Sequence, residues 1–394
     1  MERLTDEERR ELVEFCVQLV RTPSPPGEEG ECARIVKAEM ERLGFDEVWV
    51  DEAGNVLGLV KGSGEAEGSV MLNSHMDHVE PGDPREWSVD PFSGEIREGR
   101  IYGRGASDNK GGIATQVHSL GYLLRRGRRP AMDVYVAAVV QEEVGGTGTA
   151  YIFEKGEIKP SVVVLGEGTS NRIYLGHRGG VIAEVRFKGR SAHASTPEKG
   201  FNPIFPAAKF ILALEERLGS LPVHPQLGRS TISPTICSTN TRESNVIPSM
   251  LTLTLDWRTT IEGKGYVVRF LRELADSVGA EVEIEIPIRR NVTYTGYRDR
   301  EREAVVSGFV TPMDDPFVQA MRRAVAEVRG EEPEFGYWRF ATDGRFSASM
   351  GITTFGFSPC EEELAHRPDE SISIEKMEEA VLCYAWFLLH PASS

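Results

Sequence analysis

The stretch "MLNSHMDHVEP", Met71 to Pro81, begins as an apolar run and ends by setting down His75, Asp77 and His78. Further polar clusters follow: Asp108 in "GRGASDNKGG", Glu142 and Glu143 after "VAAVVQ", Glu167 after "VVVLG", and His366 in "ELAHRPDE". Each has an ordinary explanation. The first cluster could be a solvated turn, and Asp108 could cap the following helix by accepting backbone N–H groups. The Glu pair could close a strand in solvent, and His366 could sit on a surface loop. Taken together, these residues fall at the expected carboxyl ends of strands or in neighbouring glycine-rich loops, and so face one rim of one sheet. Charges gathered there repel unless cations are bound. Two imidazoles and three carboxylates suit two divalent ions, zinc or else cobalt or manganese, better than calcium, which prefers oxygen alone. Asp108, Glu143 and Glu167 bring three negative charges against four positive from a metal pair, and a bridging hydroxide would neutralise the remainder. Ions about 3.5 to 4 Å apart lower the pKa of bound water and polarise a carbonyl, so the chemistry implied is hydrolysis.

The elements that must position these residues are legible in the pattern. Thr5 with Glu8 is a capping-box signal, and Leu12, Val13, Cys16, Leu19 and Val20 keep helical spacing until the prolines from Pro23 onward. A second helix is expected over residues 31–43, ending at Gly44. "DEVWVDEAGNVLGLVKG" predicts two strands joined at a Gly-Asn turn, and "SVMLNSHMD", "AMDVYVAAVV" and "SVVVLG" predict buried strands, with a helix over "ATQVHSLGYLLRRG". This alternation predicts an α/β fold, a mostly parallel sheet with helices on both faces. From Gly179 the order becomes β-α-β-β-α-β, through "VIAEVRFKG" to "EVEIEI", the ferredoxin-like sequence of elements. The α/β pattern resumes with "DPFVQAMRRAVAEVRG", "GITTFGFSP" and a terminal helix near residues 373–389. The expectation is a discontinuous catalytic domain of residues 1–178 and 294–394, interrupted by a lid of residues 179–293, with hinges near Gly179 and residues 290–296.

Composition narrows the partners. The chain has 394 residues, 40% of them hydrophobic, and a net charge of −16, which disfavours nucleic acid and anionic membranes. Five scattered cysteines without a Cys-x-x-Cys pair argue against a disulfide framework or a thiolate zinc site, and fit a reducing cytoplasm. The charged N-terminus holds no signal-like apolar core, and no apolar run approaches bilayer length.

"SHMDHVEPGD", "DPFSGEIREGRIYGRGASDNKGG", "QEEVGG", "GEGT", "GRSAHASTPEKGFNPI" and "AHRPDE", in that order, resemble the dinuclear zinc deacylases and exopeptidases. That family includes acetylornithine deacetylase, succinyl-diaminopimelate desuccinylase, aminoacylase and glutamate carboxypeptidase. "GFDEVWVDEAGNVLG" and "TDGRFSASMGITTFGFSP" most resemble a branch named for a link to selenium metabolism. The resemblance implies that Asp108 bridges two metals, that His75 and Glu167 complete one ligand set, and that Glu143 and His366 complete the other. It makes Glu142 the general base and Asp77 the carboxylate that orients His75. It also implies a cis peptide between Asp108 and Asn109. In the lid, His193 matches a residue that reaches a partner subunit's site to steady the oxyanion, while Asn245 and Arg258 match positions near the substrate. An ion pair of Arg258 with Asp256 is an equally good explanation of that arginine. Thr342 and Asp343 match a loop bordering the site, without an assigned role, and His78 matches nothing. The chain departs from the family in having Gly-Glu-Gly-Thr where the deacetylases often have Gly-Glu-Pro-Thr. The function expected is a cytoplasmic, homodimeric, metal-dependent amidohydrolase acting on a small N-acyl amino acid or dipeptide-like substrate. An exopeptidase of the same mechanism, or a binding scaffold without turnover, are the alternatives.

Overall fold

The computed structural model describes residues 1–392. Its central sheet runs in the spatial order Glu47–Val50, Val56–Val60, Asp133–Val139, Ser69–His75, Val162–Leu165, Thr353–Gly356, Ile173–His177 and Phe309–Val310, with Phe335–Trp338 also paired to Ile173–His177. The four middle strands, Asp133–Val139 to Thr353–Gly356, are mutually parallel. Their flanks are mostly antiparallel, so the sheet is mixed rather than mostly parallel throughout. The apolar strands are unbroken because both faces are covered. Val70, Leu72, Val162 and Val164 join one core with the helices Asp6–Val20, Gly30–Leu43, Gly111–Arg125, Pro316–Arg329 and Ile374–Leu389. Met71, Val163 and Leu165 join a second core with Ile152 and Phe153 of helix Thr147–Lys155. The first helix carries the expected reciprocal Thr5–Glu8 cap, and the second ends on left-handed Gly44, φ 84°.

Strands Gly180–Lys188, Thr231–Thr239, Met250–Arg258 and Val282–Glu285, with helices Ile204–Arg217 and Lys264–Ser277, follow the β-α-β-β-α-β order read from the sequence. They pair antiparallel in the order Thr231–Thr239, Met250–Arg258, Gly180–Lys188, Val282–Glu285. The unit has its own core, in which Val185, Phe187, Phe210, Leu253, Trp257 and Leu274 meet.

The link back to the central sheet is longer than a single crossing. Residues 290–296, expected to flex, are fastened to the first unit. Tyr294 lies against Gly30 and Gly54 and donates to the Gly54 carbonyl at 3.0 Å, and Thr295 Oγ1 donates to the Glu52 carbonyl at 2.7 Å. Asn291 donates to the Val144 carbonyl and to Thr147 Oγ1. Only after this strap does Val305–Val306 pair with Gly180–Lys188, before Phe309–Val310 rejoins the central sheet. Sequence pattern could not show this, because the strap has no apolar period and is held by side-chain and main-chain hydrogen bonds. Among the described residues, no helix is long and apolar enough to cross a membrane.

Candidate metal centre

Parallel registration brings three of the clusters together, those of His75, Glu142–Glu143 and Glu167. His75 is the last residue of its strand and pairs with Val139, two residues before Gln141-Glu142-Glu143, while Asn73 pairs with Leu165, two residues before Glu167. The chain therefore delivers four side chains to one rim. Gln141 turns the backbone there with φ 57°, and its N–H donates to buried Glu29 at 3.2 Å. Asp77 fixes the next turn by accepting the N–H groups of Glu142 and Glu143, one on each carboxylate oxygen at 3.1 Å. Its carboxylate stands 3.4 Å from His75 Nδ1, whereas its backbone carbonyl is 2.9 Å from that nitrogen. Asp77 thus faces His75 through both groups, the carbonyl being the shorter contact, and aligns the two glutamates as well.

A small sheet supplies the other half. Strand Ser371–Ser373 pairs with Arg100–Tyr102, which pairs in turn with Glu95–Arg97. That pairing sets "AHRPDE" against "GRGASDN". Glu370 accepts the N–H groups of Ser107 and Asp108 at 2.8 and 2.9 Å and forms a buried ion pair with Arg104. The Asp108–Asn109 peptide is cis, as the resemblance implied. Asp108 does not cap the following helix, which has no side-chain cap. Its two oxygens go separate ways, Oδ1 to His75 Nε2 at 3.0 Å and Oδ2 to His366 Nε2 at 3.1 Å. Glu167 lies 3.7 Å from His75 Nε2, and Glu143 lies 2.9 Å from His366 Nε2. The result is two triads, His75-Asp108-Glu167 and Asp108-Glu143-His366, each with donor atoms within 4.8 Å of one another and Asp108 common to both.

Electrostatics give this donor set a second test. Burial, then Asp343 and Glu167, push the Glu142 carboxyl well up. Burial and the surrounding carboxylates raise Glu167 to about 8 and raise Glu143 despite its bond to His366. Hydrogen bonds to Asp108 and Glu143 raise His366 to about 10. For Asp108, burial is outweighed by the two imidazoles, which hold its carboxyl below the usual range. The rim therefore concentrates more negative charge than its own side chains neutralise. Two Nε2 atoms aimed at carboxylate oxygens, with the His75 Nδ1 occupied by a carbonyl, are the arrangement a pair of divalent ions would relieve. Glu142 stands outside both triads yet lines the same cavity of about 520 Å³.

The lid candidates divide. Arg258 lines this cavity and is also paired with Asp256 at 2.8 Å. His193 and Asn245 do not line it. They sit beside each other on a small two-stranded surface sheet, Ala192–His193 against Val246–Ile247, where the Ala194 N–H donates to the Asn245 carbonyl at 2.9 Å and the exposed His193 ring is bonded to Ser195. His78 is structural: Nε2 accepts the Ser24 N–H at 2.9 Å, and burial beside Lys110 lowers its pKa to about 4. Sequence reasoning did not single out Arg289 or Arg345, which also line the cavity, nor buried Glu29 and Glu370. Glu370 lay within a quoted motif, and its spacing from His366 was the available signal. Arg289 had none. Asp343, left without a role, is buried beside Glu142 and contributes to its shift.

Residues 71–390 match the model of peptidase family M20/M25/M40, and the chain belongs to that family of metallohydrolases. It is 30% identical over 395 residues to YgeY, an uncharacterised protein of Escherichia coli strain K12, covering 97% of this chain and 94% of that one. It is 26% identical to the succinyl-diaminopimelate desuccinylase of Methylococcus capsulatus, covering 93% and 95% of the two chains. The M20 family metallo-carboxypeptidase Sso-CP2 of Sulfolobus solfataricus has a similar fold, with a TM-score of 0.74 at 20% identity over 98% of this chain and all of that one, 100%.

Proposed function

We propose that the protein is a metal-dependent amidohydrolase that cleaves the amide bond of a small N-acyl amino acid or dipeptide-like substrate in the Asp108–Glu142 cavity. The observation that carries this reading is the pair of ligand triads sharing Asp108, with an uncommitted Glu142 beside them. His75, Asp108 and Glu167 would hold one divalent ion, and Asp108, Glu143 and His366 the other; zinc, cobalt and manganese all suit this donor set. When bound, such ions acidify water and polarise the scissile carbonyl. Glu142 takes the proton of the attacking water and returns it to the leaving amine, the role of a base close to the reacting atoms but bound to neither ion. Asp77 keeps that base in place by holding the N–H groups of Glu142 and Glu143. The barrier to water is the second unit, which acts as a lid and brings Arg258 to the cavity.

A homodimer through the lid supports completion of the site. His193 is exposed and absent from its own chain's cavity, while strand Thr231–Thr239 is an unpaired edge of its sheet with Ile236 exposed. In this reading His193 steadies the developing oxyanion of the partner's cavity, and Asn245 lies beside it near the substrate. Exopeptidase action uses the same residues and differs in whether a free amine or an acyl group flanks the scissile bond. Metal analysis, followed by assays on N-acetyl, N-succinyl and N-formyl amino acids and on dipeptides with added zinc, cobalt or manganese, tests the proposal. Turnover of the acyl compounds alone selects the deacylase, turnover of dipeptides alone selects the exopeptidase, and metal content far below two ions per chain overturns both.

A further inference from the structure

Glu142 and Glu143 are neighbours in the chain with different destinations. Glu143 reaches His366 Nε2 at 2.9 Å, while Glu142 lines the cavity outside both triads. Adjacent carboxylates repel each other. Asp77 grips the N–H groups of both, which leaves the residue at the base of the turn to set the direction in which the pair faces. That residue is Gln141, 3% exposed and left-handed at φ 57°. A residue other than glycine keeps this conformation only where its surroundings over-determine it. Here three groups do so. Its N–H donates to Glu29 at 3.2 Å, its carbonyl accepts the Gly146 N–H at 2.7 Å, and its side-chain Nε2 donates to the Val292 carbonyl at 2.8 Å.

The last of these contacts comes from the strap, the segment that leaves the second unit after Ile288–Arg289. The strap residue before Val292, Asn291, donates to the Val144 carbonyl at 3.2 Å and to Thr147 Oγ1 at 3.1 Å. Consecutive strap residues therefore grip the turn on either side of Glu142 and Glu143. The strap is itself held further on, by Tyr294 and Thr295 on the Gly54 and Glu52 carbonyls. Gly27 packs over the Gln141–Val292 hydrogen bond, where a Cβ would lie 3.5 Å from the Val292 carbonyl oxygen and 3.7 Å from Gln141 Nε2. Gln141 does not line the cavity, so it can act on the chemistry only through the turn. We propose that Gln141 is a positioning residue, the fastener by which the strap holds the turn that presents Glu142 to the cavity and Glu143 to its triad. This rests on the amidohydrolase reading for the role of Glu142 as base, but not for the placement of Glu143.

The test reads metal binding as well as turnover. Gln141→Met keeps the side chain's length but loses the donor, Gln141→Gly relieves the left-handed backbone and also loses the donor, and Asn291→Ala releases the other side of the turn. For Gln141→Met the expected result is a fall of roughly 10 to 100-fold in kcat with KM little changed, on whichever acyl amino acid or dipeptide the unmutated protein hydrolyses. The weaker-held of two cobalt ions should be lost to a chelator at roughly 10-fold lower concentration, with a changed visible absorption spectrum. Gln141→Gly should show the same losses, and so should Asn291→Ala, which leaves buried Gln141 in place. The double variant Gln141→Met with Asn291→Ala should lose less than the product of the two single losses, because both residues fasten one turn. A residue that only supports folding would lower the urea midpoint and leave kcat, cobalt affinity and spectrum of the folded protein unchanged; that outcome, or full activity in Gln141→Gly, would overturn the assignment. Failure of the amidohydrolase reading shows separately, as absence of hydrolysis by the unmutated protein, and the cobalt measurements then still decide whether Gln141 places Glu143.

Discussion

Ser69–His75 is buried at all seven of its positions, whereas Gly180–Lys188 and Met250–Arg258 alternate between buried and half-buried residues along almost their whole length. The first strand has helices over both faces of its sheet; the others cover a core on one face only. Charge follows the same division. On the open face of the second sheet Arg186 pairs with Glu184 and Glu285, and Lys188 with Glu283, all at 2.5 to 3.0 Å. In the covered sheet polar groups can emerge only at strand ends, and there His75, Glu142, Glu143 and Glu167 gather with their carboxyls pushed up. One region is electrostatically complete within the chain, and the other is built to be completed by something bound.

That contrast can be broken or sharpened by substitution. The largest effect belongs to Glu142→Gln, which should lower turnover by about 10² to 10⁴-fold while metal content stays near that of the unmutated protein; loss of metal would exchange the assigned roles of base and ligand. His193→Ala is expected to lower kcat by about 10² to 10³-fold, again without metal loss. Mixing this variant with a Glu142→Gln chain should restore part of the activity if the histidine serves the partner's site. Glu370→Gln touches no proposed ligand side chain, yet it weakens the hold on the Ser107 and Asp108 N–H groups, so metal affinity measured by chelator competition should fall about 10 to 100-fold.

In the second sheet the expected damage is to stability. Leu253 is 1% exposed, and Leu253→Ala should cost about 2 to 5 kcal/mol in urea unfolding with the metal content of the folded protein unchanged. The smallest effect lies on a paired surface of the first unit. Despite burial, hydrogen bonds to Arg42 and His118 lower Glu39 from 4.5 to about 2. Its folded-state pKa is depressed, so its stabilising contribution is present above pH 4.5 and disappears as pH falls toward 2. Melting temperatures of the unmutated protein and Glu39→Gln should differ near neutrality and converge across that window.

Much of the site was legible because its residues end apolar runs. "VVVLGE" and "VAAVVQEE" announce buried strands that stop at carboxylates, and strand alternation in "VIAEVRFK" and "MLTLTLDW" announces a sheet with one open face. The strands Ile173–His177 and Phe335–Trp338 were not foreseen, being short and lacking a distinct period. Nor was the strap that fastens residues 290–296. Its anchors, Tyr294 over Gly30 and Gly54 and Asn291 against Thr147, join residues more than a hundred positions apart.

The sequence by itself determined the α/β character, the β-α-β-β-α-β unit and the set of imidazoles and carboxylates available for metal chemistry, because periodicity and residue type are local properties. Tertiary structure alone decided that Asp108 faces both histidines, that Glu370 holds its backbone, and that Arg289 lines the cavity wall. Those facts depend on strand register and on which charges find partners across long stretches of chain. Neither leaves a mark in local spacing, since a hydrogen bond between residues 107 and 370 is set by packing rather than by the residues next to either one.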